Sequence, residues 1–186
     1  MRPRDAWGVP SDTPDAADAA EQAREICLRL LESGPRTTKE LVTRLRAKGI
    51  PDEVAEEVLT RFADVGIVDD ALFARMWVDS RHRSRGLSGR ALGQELRRKG
   101  ITDEDARAAL EGLDPDEEVA TARSLVRRKL AGTRGLTTEA RVRRLSGMLA
   151  RKGYGPGLAF RVVKEELEAE GEELPVLDTD GLSNLG

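Results

Sequence analysis

A ten-residue pattern occurs three times in this chain of 186 residues, and it constrains the fold more than any other feature. Each copy has two leucines four residues apart and ends in Lys-Gly followed by a large apolar residue. The copies are residues 41–50 (LVTRLRAKGI), 92–101 (LGQELRRKGI) and 145–154 (LSGMLARKGY). Because leucines at i and i+4 lie on one side of an α-helix, each copy predicts a helix with a buried stripe.

The Lys-Gly pair predicts how each of these helices ends. A glycine directly after a helix often takes the left-handed conformation, and a basic last turn complements the negative end of the helix dipole. We therefore expect Gly49, Gly100 and Gly153 to be structural caps at the C′ position. In that geometry the next residue packs against a leucine of the last turn, which pairs Ile50 with Leu45 in the first copy.

Helical apolar spacing also precedes and follows each copy, so each copy is the middle helix of a three-helix unit. The predicted fold is all-α without a sheet: an elongated, curved array of three tandem three-helix repeats, about nine helices in helix-turn-helix-like units. The predicted divisions are a flexible acidic segment at 1–22, repeats at 23–66, 67–114 and 115–170, and a flexible acidic tail at 171–186.

The first helix of the second repeat follows two adjacent acids, Asp69 and Asp70. We expect one of them to cap this helix at its N-terminus and the other to favour the helix dipole, which makes both structural caps. A paired-carboxylate metal or catalytic site is the less favoured alternative. The expected buried face of this helix consists of Leu72, Phe73, Met76 and Trp77.

Residue counts exclude several kinds of chemistry. Cys27 is the only cysteine, which rules out an intramolecular disulfide and a cysteine-cluster zinc site. It fits a buried helix stripe as a small hydrophobe. His82 is the only histidine, and between Arg81 and Arg83 we expect it to be a solvated helix residue. We predict no enzyme activity, no cofactor and no metal.

The formal net charge of −3 conceals blocks of opposite sign. Residues 71–100 carry +6, residues 117–152 carry +7, and residues 165–186 carry −8. A basic body between acidic ends predicts a polyanionic partner, with a merely solvated helical surface as the alternative. The candidate partner- or DNA-binding residues are Arg81, Arg83, Arg85, Arg90, Arg97, Arg98, Lys99, Arg127, Arg128, Arg143, Arg144, Arg151 and Lys152.

The N-terminal and C-terminal segments add two expectations. The chain has no run of about 18 apolar residues and no signal-like start, so we expect a soluble, cytoplasmic protein with no membrane contact. The acidic tail either competes for the basic face or serves only as a solubility device.

The junction at residues 66–78 (GIVDDALFARMWV), together with the helix that ends in Lys99-Gly100-Ile101, resembles the RecX family. The similarity covers roughly 23–167 and departs from the family pattern at Tyr154, in the long link between 130 and 141, and in the acidic tail. The resemblance implies a nine-helix array of tri-helical repeats. It also implies a negative modulator of the recombinase RecA, which lies in the groove of the RecA–DNA filament and suppresses ATP hydrolysis and strand exchange.

Two other functions remain open from the sequence. The first alternative is a non-sequence-specific DNA-binding protein that contacts phosphates directly. The second is an inert helical scaffold. We expect a monomer in each case, and DNA contact that is either direct or made through the filament.

Overall fold

In a computed structural model, the structure describes residues 16–171, which form nine α-helices and one 3₁₀ turn without a β-strand. The predicted all-α class is confirmed. No helix within residues 16–171 is both long enough and apolar enough to cross a membrane. The helices are α1 (Ala16–Glu32), α2 (Thr38–Ala47), α3 (Asp52–Asp64), α4 (Asp70–Arg85), α5 (Gly89–Arg98), α6 (Asp103–Glu111), α7 (Pro115–Leu130), α8 (Thr138–Arg151) and α9 (Pro156–Ala169), with the 3₁₀ turn at Ala131–Thr133.

The described residues form two compact units. Unit 1 comprises residues 16–73 and 99–102, and unit 2 comprises residues 74–98 and 103–171. In unit 1 the predicted stripe of α2 is fully buried, with Leu41 and Leu45 both 0 % exposed. These leucines join residues of α1 and α3, such as Cys27 and Phe62, in one apolar cluster.

Unit 2 contains a second apolar cluster, built from α7, α8 and α9. Its centre is the stripe of α8, Leu145 and Leu149, together with Val126 and Val162. Because burial of one large aliphatic side chain stabilises a fold by about 1.5–3 kcal/mol, each stripe is a main source of stability for its own bundle.

The end of α2 has the geometry that the Lys-Gly pair predicts. Gly49 has a φ of +79°. Its N–H donates to the carbonyl of Arg46 at 3.0 Å, and the N–H of Ile50 donates to the carbonyl of Leu45 at 3.1 Å. These two bonds are those of a Schellman motif, which satisfies carbonyl groups that the helix end leaves open.

The other two glycines of the pattern also have positive φ. Gly153 has a φ of +90° and Gly100 a φ of +85°. At the end of α8 the N–H of Gly153 donates to the carbonyl of Ala150 at 2.9 Å, and the N–H of Tyr154 donates to that of Leu149 at 3.2 Å. The same capping geometry therefore closes α2 and α8.

Two of the Lys-Gly ends also pack against the start of another helix. In unit 1 the hydroxyl of Thr37, just before α2, donates to the carbonyl of Lys99 at 2.8 Å. In unit 2 the N–H of Ser88, just before α5, donates to the carbonyl of Lys152 at 3.0 Å. Each unit thus contains one hydrogen bond between a Lys-Gly pair and the residue before a helix.

At these junctions glycine is required for space as well as for its φ angle. A Cβ added at Gly153 would lie 2.6 Å from the Cβ of Ala91, and one added at Gly100 would lie 2.5 Å from the Cβ of Lys39. Around Gly49 there is nothing within 4 Å. The chain therefore approaches itself closely at Gly100 and Gly153 but not at Gly49.

The structure corrects the predicted flexible segment 1–22. Residues 16–22 already belong to α1, and Ala19 in this stretch is only 2 % exposed. The buried stripe of α1 consists of the small residues Ala19, Ala23 and Cys27, which give a weak hydrophobic signal although alanine favours helices strongly. Residues 1–15 and 172–186, which include most of the predicted acidic tail, lie outside the described part.

The predicted buried face of α4 was also partly wrong. Leu72 and Met76 are 46 % and 53 % exposed, whereas Phe73, Ala74 and Val78 are buried. Apolar residues occupy more than one side of α4, and at 3.6 residues per turn Leu72 and Met76 lie on the side opposite the buried residues. The sequence alone did not distinguish the two sides.

Candidate polyanion-binding surface

The thirteen basic residues that were predicted to bind a partner differ in one respect. Some of them already pair with another side chain within residues 16–171, and others do not. Arg83 pairs with Asp79 at 2.6 Å, and Lys99 pairs with Glu40 at 2.7 Å. Arg127 forms a bidentate contact with a single carboxylate, through hydrogen bonds of 2.7 Å from Nε and 2.9 Å from Nη2. Such residues already have their charge balanced, so they are weaker candidates for binding an external anion.

Arg81 has a different partner. Its guanidinium carbon lies 4.1 Å from the centroid of the Trp77 ring, a cation–π geometry. The indole N–H of Trp77 donates to Glu95 at 2.8 Å. Trp77 is therefore engaged on one ring face and at its edge, which leaves little of it for stacking on a nucleic-acid base.

Seven of the thirteen are exposed and have no ion-pair, cation–π or side-chain hydrogen-bond partner among residues 16–171. We call them the seven unpaired arginines. They lie on α4, α5, α7 and α8, and all belong to unit 2. They are Arg85, Arg90, Arg97, Arg128, Arg143, Arg144 and Arg151.

Lys152 shows that some of these cations crowd one another. Its ammonium group donates to the backbone carbonyl of Arg85. Partial burial lowers the pKa of Lys152, and the positive charges of Arg128 and Arg85 lower it further. An anion placed beside these three residues would relieve that repulsion, as expected for a surface that receives a polyanion.

Acidic residues near the C-terminal end of the described part pair with arginines of residues 117–152. They neutralise part of the +7 charge of that block, which was not predicted. Glu166 on α9, whose side chain is 6 % exposed, is the carboxylate that Arg127 contacts. Glu170 pairs with Arg134 at 2.9 Å and also with Arg141. Four acids that the sequence analysis counted in the acidic C-terminal block thus belong to α9 or its last turn, namely Glu165, Glu166, Glu168 and Glu170.

Arg141 is the most deeply buried cation of the described chain and was not among the candidates. It is 2 % exposed, donates from Nε to the hydroxyl of Thr133 at 3.0 Å, and pairs with Glu170. The apolar spacing of α8 gave one possible signal, because Arg141 precedes Leu145 by four residues and so lies on the buried stripe. Its role is structural.

His82 is not solvated, as was expected, but 6 % exposed. Its Nδ1 lies 2.8 Å from the carbonyl of Leu87, and its Nε2 lies 3.0 Å from the hydroxyl of Thr121. Since a carbonyl only accepts, Nδ1 carries a proton, and in the neutral imidazole Nε2 then accepts from Thr121. Both ring nitrogens are used within the fold, and no local pattern points to Thr121, 39 residues away.

The two adjacent acids have separate structural partners. Asp69 accepts a hydrogen bond from the N–H of Leu72 at 2.7 Å, in the first turn of α4. Asp70 accepts from the N–H of Thr38 at 2.9 Å and so caps the start of α2. Each carboxylate therefore meets an unsatisfied N–H of a helix start.

Cys27 is 0 % exposed, and burial raises its pKa. A buried thiol with a raised pKa holds little thiolate, which is the nucleophilic form. Within residues 16–171 there is also no group of three metal-ligating side chains that could hold an ion.

Together these features define an all-α protein of three-helix repeats whose candidate site is a set of arginines without acidic partners. Three domain models of one family match the chain: RecX, first three-helix domain, at residues 23–62; RecX, second three-helix domain, at 69–110; and RecX, third three-helix domain, at 116–163. The chain belongs to the RecX family of regulatory proteins, and the predicted three-helix repeats are confirmed.

Individual relatives support this membership. The chain is 59 % identical over 167 residues to the regulatory protein RecX of Thermobifida fusca, covering 90 % of each chain. It is 54 % identical over 164 residues to that of Streptomyces coelicolor, covering 88 % of this chain and 87 % of the relative. A crystal structure of RecX from Lactobacillus salivarius shares the fold, with a TM-score of 0.73 and 20 % identity over 80 % of this chain and 97 % of that one.

Proposed function

We propose that this protein is a negative modulator of the recombinase RecA. The single observation that carries the proposal is the set of seven unpaired arginines in unit 2, in a chain that belongs to a family of regulatory proteins. A RecA–DNA filament is a polyanionic partner, and guanidinium groups suit both phosphates and carboxylates. The protein lies in the filament groove, acts as a monomer in the cytoplasm, and suppresses ATP hydrolysis and strand exchange.

A charge-reversal experiment tests the proposal. Arg143 and Arg144 lie within α8 and are exposed, so replacing both by Glu changes the surface and leaves the buried stripe intact. We expect the concentration that half-inhibits the RecA ATPase to rise by at least about tenfold, which corresponds to about 1.4 kcal/mol. Unchanged inhibition would refute the assignment.

A matched control uses two arginines outside the predicted surface. Arg44 on α2 and Arg107 on α6 are both exposed, and replacing them by Glu changes the net charge equally. If the control variant loses inhibition to the same extent, the effect is one of net charge and the surface has no special role. Circular dichroism verifies that both variants keep their helices.

The second candidate is a protein that binds DNA phosphates directly, and the same arginines support it. The two candidates differ in what they require: the modulator needs RecA-coated strands, whereas the DNA-binding protein binds bare strands equally well. Affinity for bare and for RecA-coated single strands, measured at one salt concentration, separates them. Tighter binding to coated strands favours the modulator, and salt-sensitive binding to bare strands alone favours the alternative.

A further inference from the structure

A cavity in unit 2 opens between the first turns of α5 and the turn that joins α8 to α9. Its volume is about 300 Å³, at the lower end of the range of small-ligand pockets. The α5 side contributes Arg90, Ala91 and Gln94, and the other side contributes Ala150, Arg151, Gly153, Tyr154 and Pro156.

The charge of this cavity is entirely positive. Arg90 and Arg151 are two of the seven unpaired arginines, and no acidic residue lines the cavity. Gln94 is exposed and adds an amide that can donate. Hydrogen-bond donors from two helices thus line the same cavity, although Arg90 and Arg151 are 61 residues apart in the chain.

Hydrogen bonds join the two sides of the cavity. The N–H of Ser88 donates to the carbonyl of Lys152 at 3.0 Å. Tyr154 is 3 % exposed and donates its hydroxyl to the carbonyl of Gly86 at 3.2 Å. Gly153 has no room for a side chain against Ala91. The site is therefore formed before a ligand arrives, which lowers the entropic cost of binding.

We propose that this cavity binds one phosphodiester group of a nucleic-acid backbone together with its sugar. The inference rests on the proposed function and names the part of the polyanionic partner that is bound here. The guanidinium groups of Arg90 and Arg151 donate to the non-bridging oxygens. The carbons of Pro156 and Ala150 pack against the sugar.

The mixed lining favours a sugar-phosphate over a protein carboxylate. A carboxylate offers two oxygens in one plane, which one arginine fork satisfies by itself. This cavity instead has two separate arginine forks, one on each side, together with an amide and apolar carbons. A phosphodiester has charged oxygens and an apolar sugar side by side, which matches that mixture.

The test uses a fluorescein-labelled single-stranded oligonucleotide and fluorescence anisotropy with the full chain. In the cavity variant, Arg90→Gln and Arg151→Gln are combined. In the matched variant, Arg44→Gln and Arg107→Gln remove the same charge at exposed positions that do not line the cavity. We expect the cavity variant to bind at least tenfold more weakly than the parent, and the matched variant to lose no more than threefold.

A second variant tests shape without charge. Ala150 is exposed and lines the cavity, so Ala150→Phe fills it and leaves every arginine in place. We expect at least a fivefold loss of affinity. Ala120→Phe, at an exposed position on α7 away from the cavity, is the control and should bind as the parent does.

The outcomes separate this inference from the proposed function. Equal losses in the cavity and matched variants, with normal binding by Ala150→Phe, would overturn the cavity as a site while the RecA assays still supported the proposed function. If the cavity variant instead loses polyglutamate binding and keeps the oligonucleotide, the ligand is an acidic protein and the inference fails. A parent that neither binds the oligonucleotide nor alters the RecA ATPase contradicts both.

Discussion

At the residue scale, Gly49 and Gly153 share a left-handed φ but differ in their surroundings. Space around Gly49 is open, whereas a Cβ at Gly153 would overlap Ala91. The Lys-Gly pattern predicts the φ of both positions, since it depends only on how a helix ends. The pattern does not reveal the close approach at Gly153, because that approach depends on a junction with residues about 60 positions away.

Replacing each of these glycines by alanine separates the requirement for a left-handed backbone from the requirement for space. We expect Gly49→Ala to destabilise the fold by about 1–2 kcal/mol through its left-handed backbone alone. Gly153→Ala has the same backbone cost and must also displace the start of α5, so its loss should exceed that of Gly49→Ala by at least about 1 kcal/mol. Urea denaturation followed by circular dichroism measures both, and equal losses would contradict a tight junction.

Glu40 supplies a second residue-scale prediction. Burial of its carboxyl acts to raise its pKa, but the hydrogen bonds from Lys99 and Thr37 and the charges of Lys99 and Arg36 outweigh this and lower it. A carboxyl whose pKa is lower in the folded state stabilises the fold above its unfolded pKa, and that contribution is lost as the pH falls through the folded pKa.

Glu40→Gln keeps an acceptor for the N–H of Thr37 but removes the charge. We expect the variant to be less stable than the parent by about 1 kcal/mol at neutral pH. The difference should shrink as the pH falls below the ordinary glutamate pKa of about 4.3, and it should vanish only below the lower pKa of the folded state, where Glu40 of the parent is neutral as well. Urea denaturation at three pH values tests this. Glu57→Gln, which removes one partner of an exposed pair with Arg61, should change little at any pH.

At the element scale, sequence reasoning succeeded where a feature depends on neighbours along one helix. The stripes of α2 and α8 and the glycine-ended helices follow from local spacing. Sequence reasoning failed for features that depend on how one helix packs against another. The exposure of Leu72 and the burial of His82 depend on which helix packs against which side. The pairing of α7 arginines with α9 acids depends on the same long-range packing.

The α7–α9 pairing itself is open to a test. Glu166→Gln removes the charge that holds Arg127 in two hydrogen bonds. We expect a loss of stability of about 1–3 kcal/mol, since hydrogen bonds to a charged group are weakened. We also expect tighter binding of an oligonucleotide, because the exposed Arg127 loses its carboxylate partner and can contact a phosphate. Glu168→Gln, on the same helix and with the same change in net charge, loses only an exposed contact with Lys164. If both variants tighten binding equally, Arg127 has no part in the effect.

At the scale of the whole molecule, the seven unpaired arginines are useful only if one partner contacts several of them. Linked contacts on one polyanion reinforce each other, because each contact raises the effective concentration of the next. The predicted curvature of the array would favour such a partner and stays a prediction. Binding that uses many weak contacts at once has a steep dependence on salt.

The salt dependence therefore measures how many of these arginines act together. On duplex DNA each neutralised phosphate contributes about −0.9 to the slope of log K against log salt. If Arg97, Arg143 and Arg144 each contact a phosphate, replacing all three by Gln should make the slope shallower by about 2.7, and Arg97→Gln alone by about 0.9. The Arg44→Gln control should leave the slope unchanged, since Arg44 lies in unit 1. Additive changes on one bound strand mean that α5 and α8 contact the same polyanion. A triple variant with the slope of the parent would mean that these arginines are only solvated surface.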